Sequence, residues 1–323
     1  MQRDSRISVV VITRDRVNEL LDCIARLRGT EASRVLVVDN GSSDGSPYRV
    51  RAQFPDVDVV ALPHNAAAAA RNIGVARCET PHVAFADDDS GWHLGSLSAA
   101  ADILDAYPSV AVVAAEIRLD DGRIDPLSTE MSMSSLGAHA AGRRILGFAA
   151  CGAVVRRTTY LEAGGFHPTQ AVGGEEVLLA WDIAALGSEL VYSPRVVASH
   201  RPSVQRDVGK RHRQQLANGL ITTWLRRPFV PALQDSVRQI RHAWHGEPSS
   251  ICGSIDAATH LREIRRGRSV NPAEVEEALR SLESVRAGAR DRAGRRDERM
   301  RYVTSRLTRS ASGRVFGRTA ADD

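Results

Sequence analysis

An apolar stretch typical of a buried β-strand, Val83–Ala86, runs directly into three consecutive carboxylates, Asp87, Asp88 and Asp89. Adjacent like charges repel one another, and clustering them costs stability unless a cation or a pKa shift relieves the repulsion. Mg2+ and Mn2+ prefer carboxylate oxygens, and Mg2+ is usually held by one or two carboxylates together with substrate phosphates. The run therefore predicts a divalent-metal site for a nucleoside diphosphate. The alternative is a polar loop that caps the helix beginning near Trp92.

Strand-like and helix-like segments alternate through the first part of the chain. Apolar runs rich in β-branched residues occupy 7–12, 34–38, 57–62 and 83–86, and helical patterns occupy 17–27 and 66–76. Such alternation predicts right-handed crossovers between parallel strands. We expect an α/β fold in which a mostly parallel, Rossmann-like sheet binds a nucleotide and the catalytic domain ends at residue 203. A helical, arginine-rich extension at 204–323 should follow.

Polar clusters follow the ends of three of these strands, at Thr13, at Asp39 and at the triple aspartate. In open parallel sheets, ligands bind beyond the carboxyl ends of the strands. The three clusters should therefore lie at one edge of the sheet and form a common site. Turn chemistry is the competing explanation for the run at 39–45, because its Asp, Asn, Ser and Gly residues also mark a loop.

The stretch after the triple aspartate predicts a less regular set of elements. Helical patterns lie at 94–106, 158–163 and 175–186, and strand patterns lie at 110–115, 147–156, 190–192 and 196–198. Residues 120–144 combine Gly, Pro, Ser and Met without a clear period. We expect an irregular loop there, beside the site.

Arginine dominates the end of the chain. The net charge is +4, and residues 286–318 contain eleven arginines against three acids. Such a run suits nucleic acid or an anionic membrane surface. However, Lys210 is the only lysine, which indicates a GC-rich genome, so we expect a solvated or partly disordered helix and no nucleic-acid partner. Residues 222–229 and 237–244 mix aromatic residues with arginines, which fits packing, a dimer contact or an interfacial membrane helix.

Four widely separated cysteines, Cys23, Cys78, Cys151 and Cys252, form no Cys-x-x-Cys pair. They predict reduced, mostly buried thiols rather than a zinc ribbon or a redox motif. The charged first residues lead straight into a strand and predict no signal peptide. No apolar stretch approaches the roughly 20 residues of a membrane span. We expect a cytoplasmic protein whose only membrane contact is peripheral, through the basic C-terminal helices.

Spaced motifs extend over residues 7–203. In order they are TRD at 13–15, VVDNGSSDG at 37–45, the run 65–74 with Arg-Asn at 71–72, DDD at 87–89, GGF at 164–166, GGEE at 173–176 and a histidine at 200. Each motif alone is weak, but their order and spacing are specific. Together they resemble glycosyltransferase family 2, a family of inverting enzymes with the GT-A fold.

The resemblance implies that the first strand end and the acid after the second strand hold the base and ribose of a nucleotide, which points to Thr13 and Asp39. A carboxylate such as Asp39 can accept from the imide N–H of uracil or thymine, or from guanine. Asp44 follows nearby, but turn chemistry explains it better. Arg71, near the start of a helix, either contacts the base or a phosphate or forms a salt bridge.

The resemblance also implies separate roles for the three aspartates. Asp88 would contact the ribose, Asp89 would bind the metal and Asp87 would support them. His200 would complete the metal site or be a structural histidine. Mg2+ or Mn2+ would neutralise the charge that develops on the leaving diphosphate.

Glu175 and Glu176 match the acidic pair that opens the acceptor-site helix in the family. Inversion requires a base that removes the proton of the acceptor hydroxyl as its oxygen attacks the anomeric carbon. The second acid of the pair usually has that role, which favours Glu176. The chain departs from the family at Ala67, where glycine is common, and at Leu178, where aspartate is common. Trp92 would either stack on a sugar or lie in the core.

The motifs predict a metal-dependent inverting glycosyltransferase that moves a sugar from a nucleoside diphosphate sugar to a hydroxyl group of a glycan, a lipid-linked acceptor or a small molecule. The alternative is a non-catalytic member of the same fold that binds a nucleotide sugar or a partner protein, although the intact acids argue against it. A sugar nucleotidyltransferase would need a glycine-rich loop after the first strand, and residues 13–16 contain no glycine.

Overall fold

A mixed sheet of ten strands lies at the centre of the computed structural model, which describes residues 3–202, 207–244, 248–285 and 287–288. The strands are β1 (Asp4–Thr13), β2 (Ala32–Asp39), β3 (Asp58–Ala61), β4 (His82–Asp87), β5 (Ser90–Trp92), β6 (Val110–Leu119), β7 (Ala138–His139), β8 (Gly142–Arg144), β9 (Ala153–Arg156) and β10 (Glu189–His200). They lie in the order β3-β2-β1-β4-β9-β6-β10-β8-β7, and β5 pairs with β10.

Most of the helices alternate with the strands along the chain, and the others follow the last strand. The helices are α1 (Val17–Leu27), α2 (Ser46–Gln53), α3 (Ala70–Arg77), α4 (Ser96–Ala106), α5 (Pro126–Ser132), α6 (Arg157–Glu162), α7 (Glu176–Ala185), α8 (Val208–Arg226), α9 (Phe229–Trp244), α10 (Pro248–Thr259) and α11 (Leu261–Gly267). The chain divides into two compact units, Met1–Glu277 and Ala278–Asp323. In the second unit the described residues, 278–285 and 287–288, are helical.

Both faces of β1 are buried, and Val9, Val10 and Val11 have no exposed surface. Central strands of a parallel sheet are covered on both faces, so their sequences are continuous apolar runs. Val9 and Val11 belong to a core cluster that includes residues of α1 and α4. Val10 faces α3, where a Cβ added to Gly74 would lie 2.5 Å from its Cγ1. Gly74 therefore lets α3 approach the sheet closely.

The predicted parallel arrangement is confirmed for β3, β2, β1 and β4, and β6 is parallel to β10. Between these two groups, β9 is antiparallel to both of its neighbours, β4 and β6. Because β1, β2 and β4 run in the same direction, their carboxyl ends lie at the same edge of the sheet. The polar clusters that follow these strands share that edge.

Several elements after the triple aspartate differ from the prediction. β5 begins directly after Asp89, and the next helix begins at Ser96. Residues 120–144 are not one irregular loop, because α5 and the β7–β8 hairpin lie within them. These elements are short, so their sequences carry too few turns or alternations to show a period.

Two predicted strand assignments were also wrong in detail. Residues 147–156 contain a 3-10 turn at Ala150–Gly152 before β9. The segments at 190–192 and 196–198 are parts of one strand, β10, whose pairing with β6 shifts register between Ser193 and Val197. A polar interruption in the sequence therefore marks an irregularity within a strand rather than its end.

Helices α8, α10 and α11 pack against α7 through a second apolar cluster, formed by Leu178, Leu220, Ile221, Leu225, Ala257 and Ile264. Leu178, at which the resemblance implied a departure, is buried between these helices. The helices at 208–267 thus belong to the same compact unit as the sheet, and a domain boundary at 203 stays a prediction. The arginine run at 286–318 lies outside the described residues, except for 287 and 288.

None of the helices in the described part of the chain combines the length and the apolar character that crossing a bilayer requires.

Ala67 holds a backbone conformation that favours glycine, with φ at 49°. Its carbonyl accepts a hydrogen bond from Asn40 Nδ2 at 2.9 Å, and its N–H donates to Asn65 Oδ1 at 2.9 Å. Asn40 Oδ1 also accepts from the Ala66 N–H at 2.7 Å. The left-handed region costs a residue with a Cβ about 1–2 kcal/mol. The two asparagines therefore hold this loop in a strained conformation.

Arg71 of α3 is almost fully buried, with 1% of its surface exposed. Its Nη2 donates to Asp87 Oδ1 at 2.5 Å, its Nη1 lies 3.6 Å from Glu175 Oε1, and its guanidinium lies over the ring of Phe166. Burial raises the pKa of Glu175, the charge of Glu176 raises it further, and Arg71 opposes both effects. One buried cation thus connects β4, α3 and the segment before α7.

Replacing Ala67 by glycine should raise the free energy of unfolding by up to about 1 kcal/mol. The strain relieved, about 1–2 kcal/mol, exceeds the extra entropy that glycine gives the unfolded chain, about 0.4–1 kcal/mol. Ala69→Gly is the matched control, because φ at Ala69 is −63° and glycine there should be destabilising. Urea denaturation measures both variants. A destabilised A67G would show that the loop holds no such strain.

Arg71→Met should lower the free energy of unfolding by about 3–5 kcal/mol, because it leaves buried carboxylates without their cation. The loss should grow with pH. The folded-state pKa of Glu175 is raised, so below it the group is protonated and carries no unpaired charge, whereas above it the folded state must hold the ionised form.

Arg77→Met, on the exposed side of the same helix, is the control for this experiment. Its free energy of unfolding should change by less than about 0.5 kcal/mol. Denaturant titrations at pH 6 and pH 9 give the comparison. Equal losses for Arg71→Met at the two pH values would show that Arg71 does not stabilise ionised Glu175.

Candidate active site

Reciprocal hydrogen bonds join the loops that follow β1 and β2. Ser42 Oγ accepts from the Asp15 N–H at 2.9 Å, and Asp15 Oδ1 accepts from the Ser43 N–H at 2.7 Å. Asp44 Oδ2 accepts from the Val17 N–H at 2.9 Å, at the start of α1. Asp44 Oδ1 accepts from the Ser46 N–H at 3.0 Å, which is the turn chemistry predicted for Asp44. These bonds fix two of the loops that surround the site.

Asp88 and Asp89 are buried at the carboxyl end of β4. Asp88 Oδ2 accepts from Thr13 Oγ1 at 2.9 Å. Arg16 reaches both acids, with Nη1 2.6 Å from Asp88 Oδ1 and 3.2 Å from Asp89 Oδ2. His200 Nε2, at the end of β10, lies 3.6 Å from Asp89 Oδ1. The structure thus brings together four residues predicted from the motifs and adds Arg16.

Burial raises the pKa of Asp88 to about 7, although the charge of Arg16 and the hydrogen bond from Thr13 act in the opposite direction. The neighbouring charges of Asp87 and Asp89 raise this pKa as well. Arg16, beside Asp88 and Asp89, and Arg71, beside Asp87, supply two positive charges for three carboxylates. A further cation would favour the ionised form of Asp88, and carboxylate oxygens suit a hard divalent ion.

A metal ion would need ligands beyond the protein here. Among the residues that the structure describes, no group of three or more His, Cys, Asp and Glu side chains is arranged to hold an ion by itself. Mg2+ commonly uses one or two carboxylates and takes its other ligands from phosphates and water. Asp88 and Asp89, with His200 close by, fit such a site. Asp87 instead directs Oδ1 to Arg71.

Glu175 and Glu176 lie at the start of α7 in different surroundings. The Glu175 carboxylate is buried and accepts from the Gly173 N–H. Glu176 is partly exposed, and its Oε1 accepts from the Ala150 N–H at 3.1 Å. Gly173 and Gly174 have φ values of 128° and 82°, which residues with a Cβ adopt only with strain. The two glycines therefore make the turn that presents the acidic pair.

A cavity of about 600 Å3 connects the aspartates with the glutamates. The predicted residues in its wall are Thr13, Arg71, Asp87, Asp88, Asp89, Glu175, Glu176 and His200. Side chains from α5, α8 and the residues before them complete the far side, namely Asp125, Leu127, Asp207, Lys210, Arg211 and Gln214. The cavity therefore has an acidic side on the sheet edge and a mixed side on the helices.

Asp39 does not line the cavity, whereas its neighbour Asn40 does. Asp39 is 1% exposed, and its Oδ2 accepts from the Ser42 N–H at 3.1 Å. Its Oδ1 is buried and makes no hydrogen bond among the described residues. Asp39 thus lies behind the wall, next to Thr13 across the paired strands.

The sequence did not lead us to predict Arg16 or the basic residues of α8 at the site. Arg16 could have been found, because a triple aspartate needs a counter-charge and Arg16 follows the end of the neighbouring strand by three residues. Lys210 and Arg211 lie outside every motif, and no sequence signal places α8 at the cavity. Their position depends on how α8 packs against α7.

Two other residues prove to be structural. Asn72 Oδ1 accepts from Tyr160 Oη at 2.5 Å and from the Phe166 N–H at 2.9 Å, which holds the turn of the GGF motif. Trp92 is buried, and its Nε1 donates to the Phe85 carbonyl at 3.1 Å. The core position expected as one alternative for Trp92 is therefore confirmed.

Comparison with known sequences identifies related proteins. The family model described as Glycosyl transferase family 2 matches residues 8–163. The pre-mycofactocin glycosyltransferases of two Mycobacterium tuberculosis strains, CDC 1551 and H37Rv, are 30% identical over an alignment of 275 residues. The alignment covers 81% of this chain and 53% of each relative. The chain thus spans about half the length of the curated relatives it matches.

Solved structures show the same fold at low sequence identity. The mannosyltransferase PcManGT from Pyrobaculum calidifontis, in complex with GDP-Man and Mn2+, aligns with a TM-score of 0.54 and 19% identity over 87% of this chain and 80% of that one. GalNAc-T7 with UDP, GalNAc and Mn2+ aligns with a TM-score of 0.55 and 13% identity over 69% and 48%. These likenesses confirm the GT-A arrangement. Together with the family match and the relatives, they establish that the chain belongs to glycosyltransferase family 2.

Proposed function

We propose that the protein is a metal-dependent inverting glycosyltransferase that moves a sugar from a nucleoside diphosphate sugar to a hydroxyl group. The observation that carries this proposal is a single cavity with two acidic groups, the aspartates at the end of β4 and the glutamates at the start of α7. The aspartates can hold a diphosphate through a divalent cation, and the glutamates can activate a hydroxyl group. The M. tuberculosis relatives are named as glycosyltransferases, and two structural neighbours were solved with nucleotides and Mn2+.

On the donor side, Asp88 and Thr13 would contact the ribose, and Asp39 would recognise the base. Asp39 Oδ1 makes no hydrogen bond among the described residues, and a base N–H would supply one. Because Asp39 is buried and does not line the cavity, the residues in front of it would have to move for the base to reach it. Arg71 would act through Asp87 and Glu175, whose charges it already balances, rather than through direct contact with the donor.

Asp89 and Asp88 would hold Mg2+ or Mn2+ with His200 close by. A divalent ion bound there supplies Lewis-acid stabilisation of the charge on the leaving diphosphate. Arg16 is positioned beside the same acids, so its guanidinium would bind the diphosphate oxygens and add positive charge at the same point.

Glu176 would act as the base. It takes the proton of the acceptor hydroxyl while that oxygen bonds to the anomeric carbon and the bond from this carbon to the diphosphate oxygen breaks. Glu175 suits this role less well, because burial raises its pKa and because Gly173 and Arg71 fix its carboxylate. The Glu175 carboxyl group is thus already engaged inside the protein, whereas Glu176 is partly exposed.

The acceptor would enter from the side of α5 and α8. Asp125, Leu127, Lys210 and Arg211 line that side of the cavity, and three of the four carry charges that suit a polar acceptor. The name of the M. tuberculosis relatives assigns pre-mycofactocin to those proteins. For this chain we propose only a hydroxyl acceptor.

Thermal unfolding with a panel of nucleoside diphosphates and their sugars, each with and without Mn2+ or Mg2+, tests donor binding. At about 100 times its Kd, a ligand that binds only the folded protein stabilises it by about 2.7 kcal/mol. We expect a shift with one nucleotide that requires the metal. No shift with any nucleotide in a folded sample would contradict the proposal and favour a non-catalytic role.

Asp89→Asn provides the test of the metal site in the same assay. It should lose the metal-dependent part of the shift, because a neutral amide is a weaker ligand for a hard cation. Asp120→Asn, at an exposed acid paired with Arg201, should retain the shift. A normal metal response in the Asp89 variant would remove Asp89 from the metal site.

Glu176→Gln should leave the donor-induced shift unchanged and lower kcat by about 100- to 10,000-fold, which is the range for loss of a general base. Glutamine keeps the size of the side chain and the oxygen that accepts from Ala150. Glu162→Gln, an exposed acid of α6, is the matched control and should retain full turnover. If Glu176→Gln kept normal turnover while Glu175→Gln lost it, the base would be Glu175.

A further inference from the structure

Helix α9 buries a face made of small and polar side chains. Ser236 Oγ accepts from Trp224 Nε1 at 2.9 Å, and Gln239 Nε2 donates to Ser254 Oγ of α10 at 3.1 Å. Ala232 has no exposed surface, and Gln239 has 9%. These three residues of α9 are spaced at i, i+4 and i+7, so they lie on one face. This face satisfies its hydrogen bonds inside the protein.

A second face of the same helix is apolar and exposed. Leu233, Val237, Ile240 and Trp244 have 46%, 43%, 53% and 88% of their surface exposed. Their spacing of i, i+4, i+7 and i+11 places them in one row along the helix, which we call the α9 stripe. A surface helix normally buries such a row. Exposed apolar patches of this kind mark interaction sites on folded proteins.

The charges beside the α9 stripe are positive. Arg238 and Arg241 are exposed on the same helix. Asp235 is the only acid in residues 229–244, and its carboxylate lies 2.9 Å from Arg238 Nη2 and 3.7 Å from Arg227 Nη1. Asp235 thus neutralises part of the charge of Arg238, and Arg241 leaves the exposed part of α9 with a net positive charge.

We propose that the α9 stripe inserts into the surface of a membrane that contains anionic lipids. Helices with a Trp-containing apolar face beside arginines lie in the plane of the headgroups, and each arginine adds attraction to the negative surface. A second copy of the chain is a poorer partner, because it would bring Arg238 and Arg241 against like charges. The surplus of arginine at 286–318 adds positive charge to the chain. This binding does not depend on sugar transfer.

Co-sedimentation of the full chain with lipid vesicles tests the proposal. The protein should sediment with vesicles of phosphatidylglycerol and phosphatidylcholine and remain in solution with phosphatidylcholine alone. The double variant Ile240→Ser/Trp244→Ser should bind the anionic vesicles at least about tenfold more weakly. Arg238→Gln/Arg241→Gln should weaken the same binding about tenfold.

Leu94→Ser is the matched control, because Leu94 is an apolar residue that is 69% exposed and lies outside α9, between β5 and α4. It should bind vesicles like the unmodified protein, and unchanged thermal unfolding of all variants would show that they fold. Absence of binding to anionic vesicles, or equal binding by the Ile240/Trp244 variant, would overturn the proposal. So would a dimer, seen by light scattering without lipid, that the Ile240/Trp244 variant converts to a monomer.

Discussion

Five carboxylates meet at one edge of the sheet, and the balance of their charge is the constraint on which the rest of the site depends. Arg71, inside the protein, lies between Asp87 and Glu175, and Arg16 lies between the other two aspartates and solvent. A buried charge without a partner costs several kcal/mol. The balance is still incomplete, because burial raises the pKa of Asp88 to about 7 in spite of Arg16. A site with this remaining deficit of positive charge is suited to a divalent cation.

Short elements with weak sequence signals complete this arrangement. The strand β5 begins directly after Asp89 and pairs antiparallel with β10, with His200 opposite Ser90. This pairing holds His200 beside the aspartates, although more than a hundred residues separate them in the chain. In the same way, the 3-10 turn at Ala150–Gly152 directs the Ala150 N–H to Glu176. The two acidic groups thus depend on local geometry that only the assembled sheet provides.

The first half of the fold could be predicted because its signals are local. Buried parallel strands have continuous apolar sequences, and the crossover rule fixes their direction, which places Thr13 and the triple aspartate at one edge. The position of β9 in the sheet could not be predicted, because its pairing partners β4 and β6 lie far away in sequence. The α5 and β7–β8 elements are too short for their sequences to show a period. The sequence also could not predict which acids the two arginines of the site contact. A sequence shows that Arg71 and Arg16 are charged, but only tertiary packing decides that one is buried and that the other reaches two acids.

The helix α9 shows a different limit of sequence patterns. The aromatic residues and arginines at 237–244 have the spacing of a helix and lie in α9, but a period does not say which face is turned inward. The neighbouring helices determine which face of α9 is buried. Trp224 of α8 donates a hydrogen bond to Ser236. Ser254 of α10 accepts one from Gln239. Turning the apolar row inward instead would leave those groups buried without partners, which costs about 1–3 kcal/mol for each group. The exposed row is therefore a consequence of how the helices pack, and that packing leaves it free for a surface outside the protein.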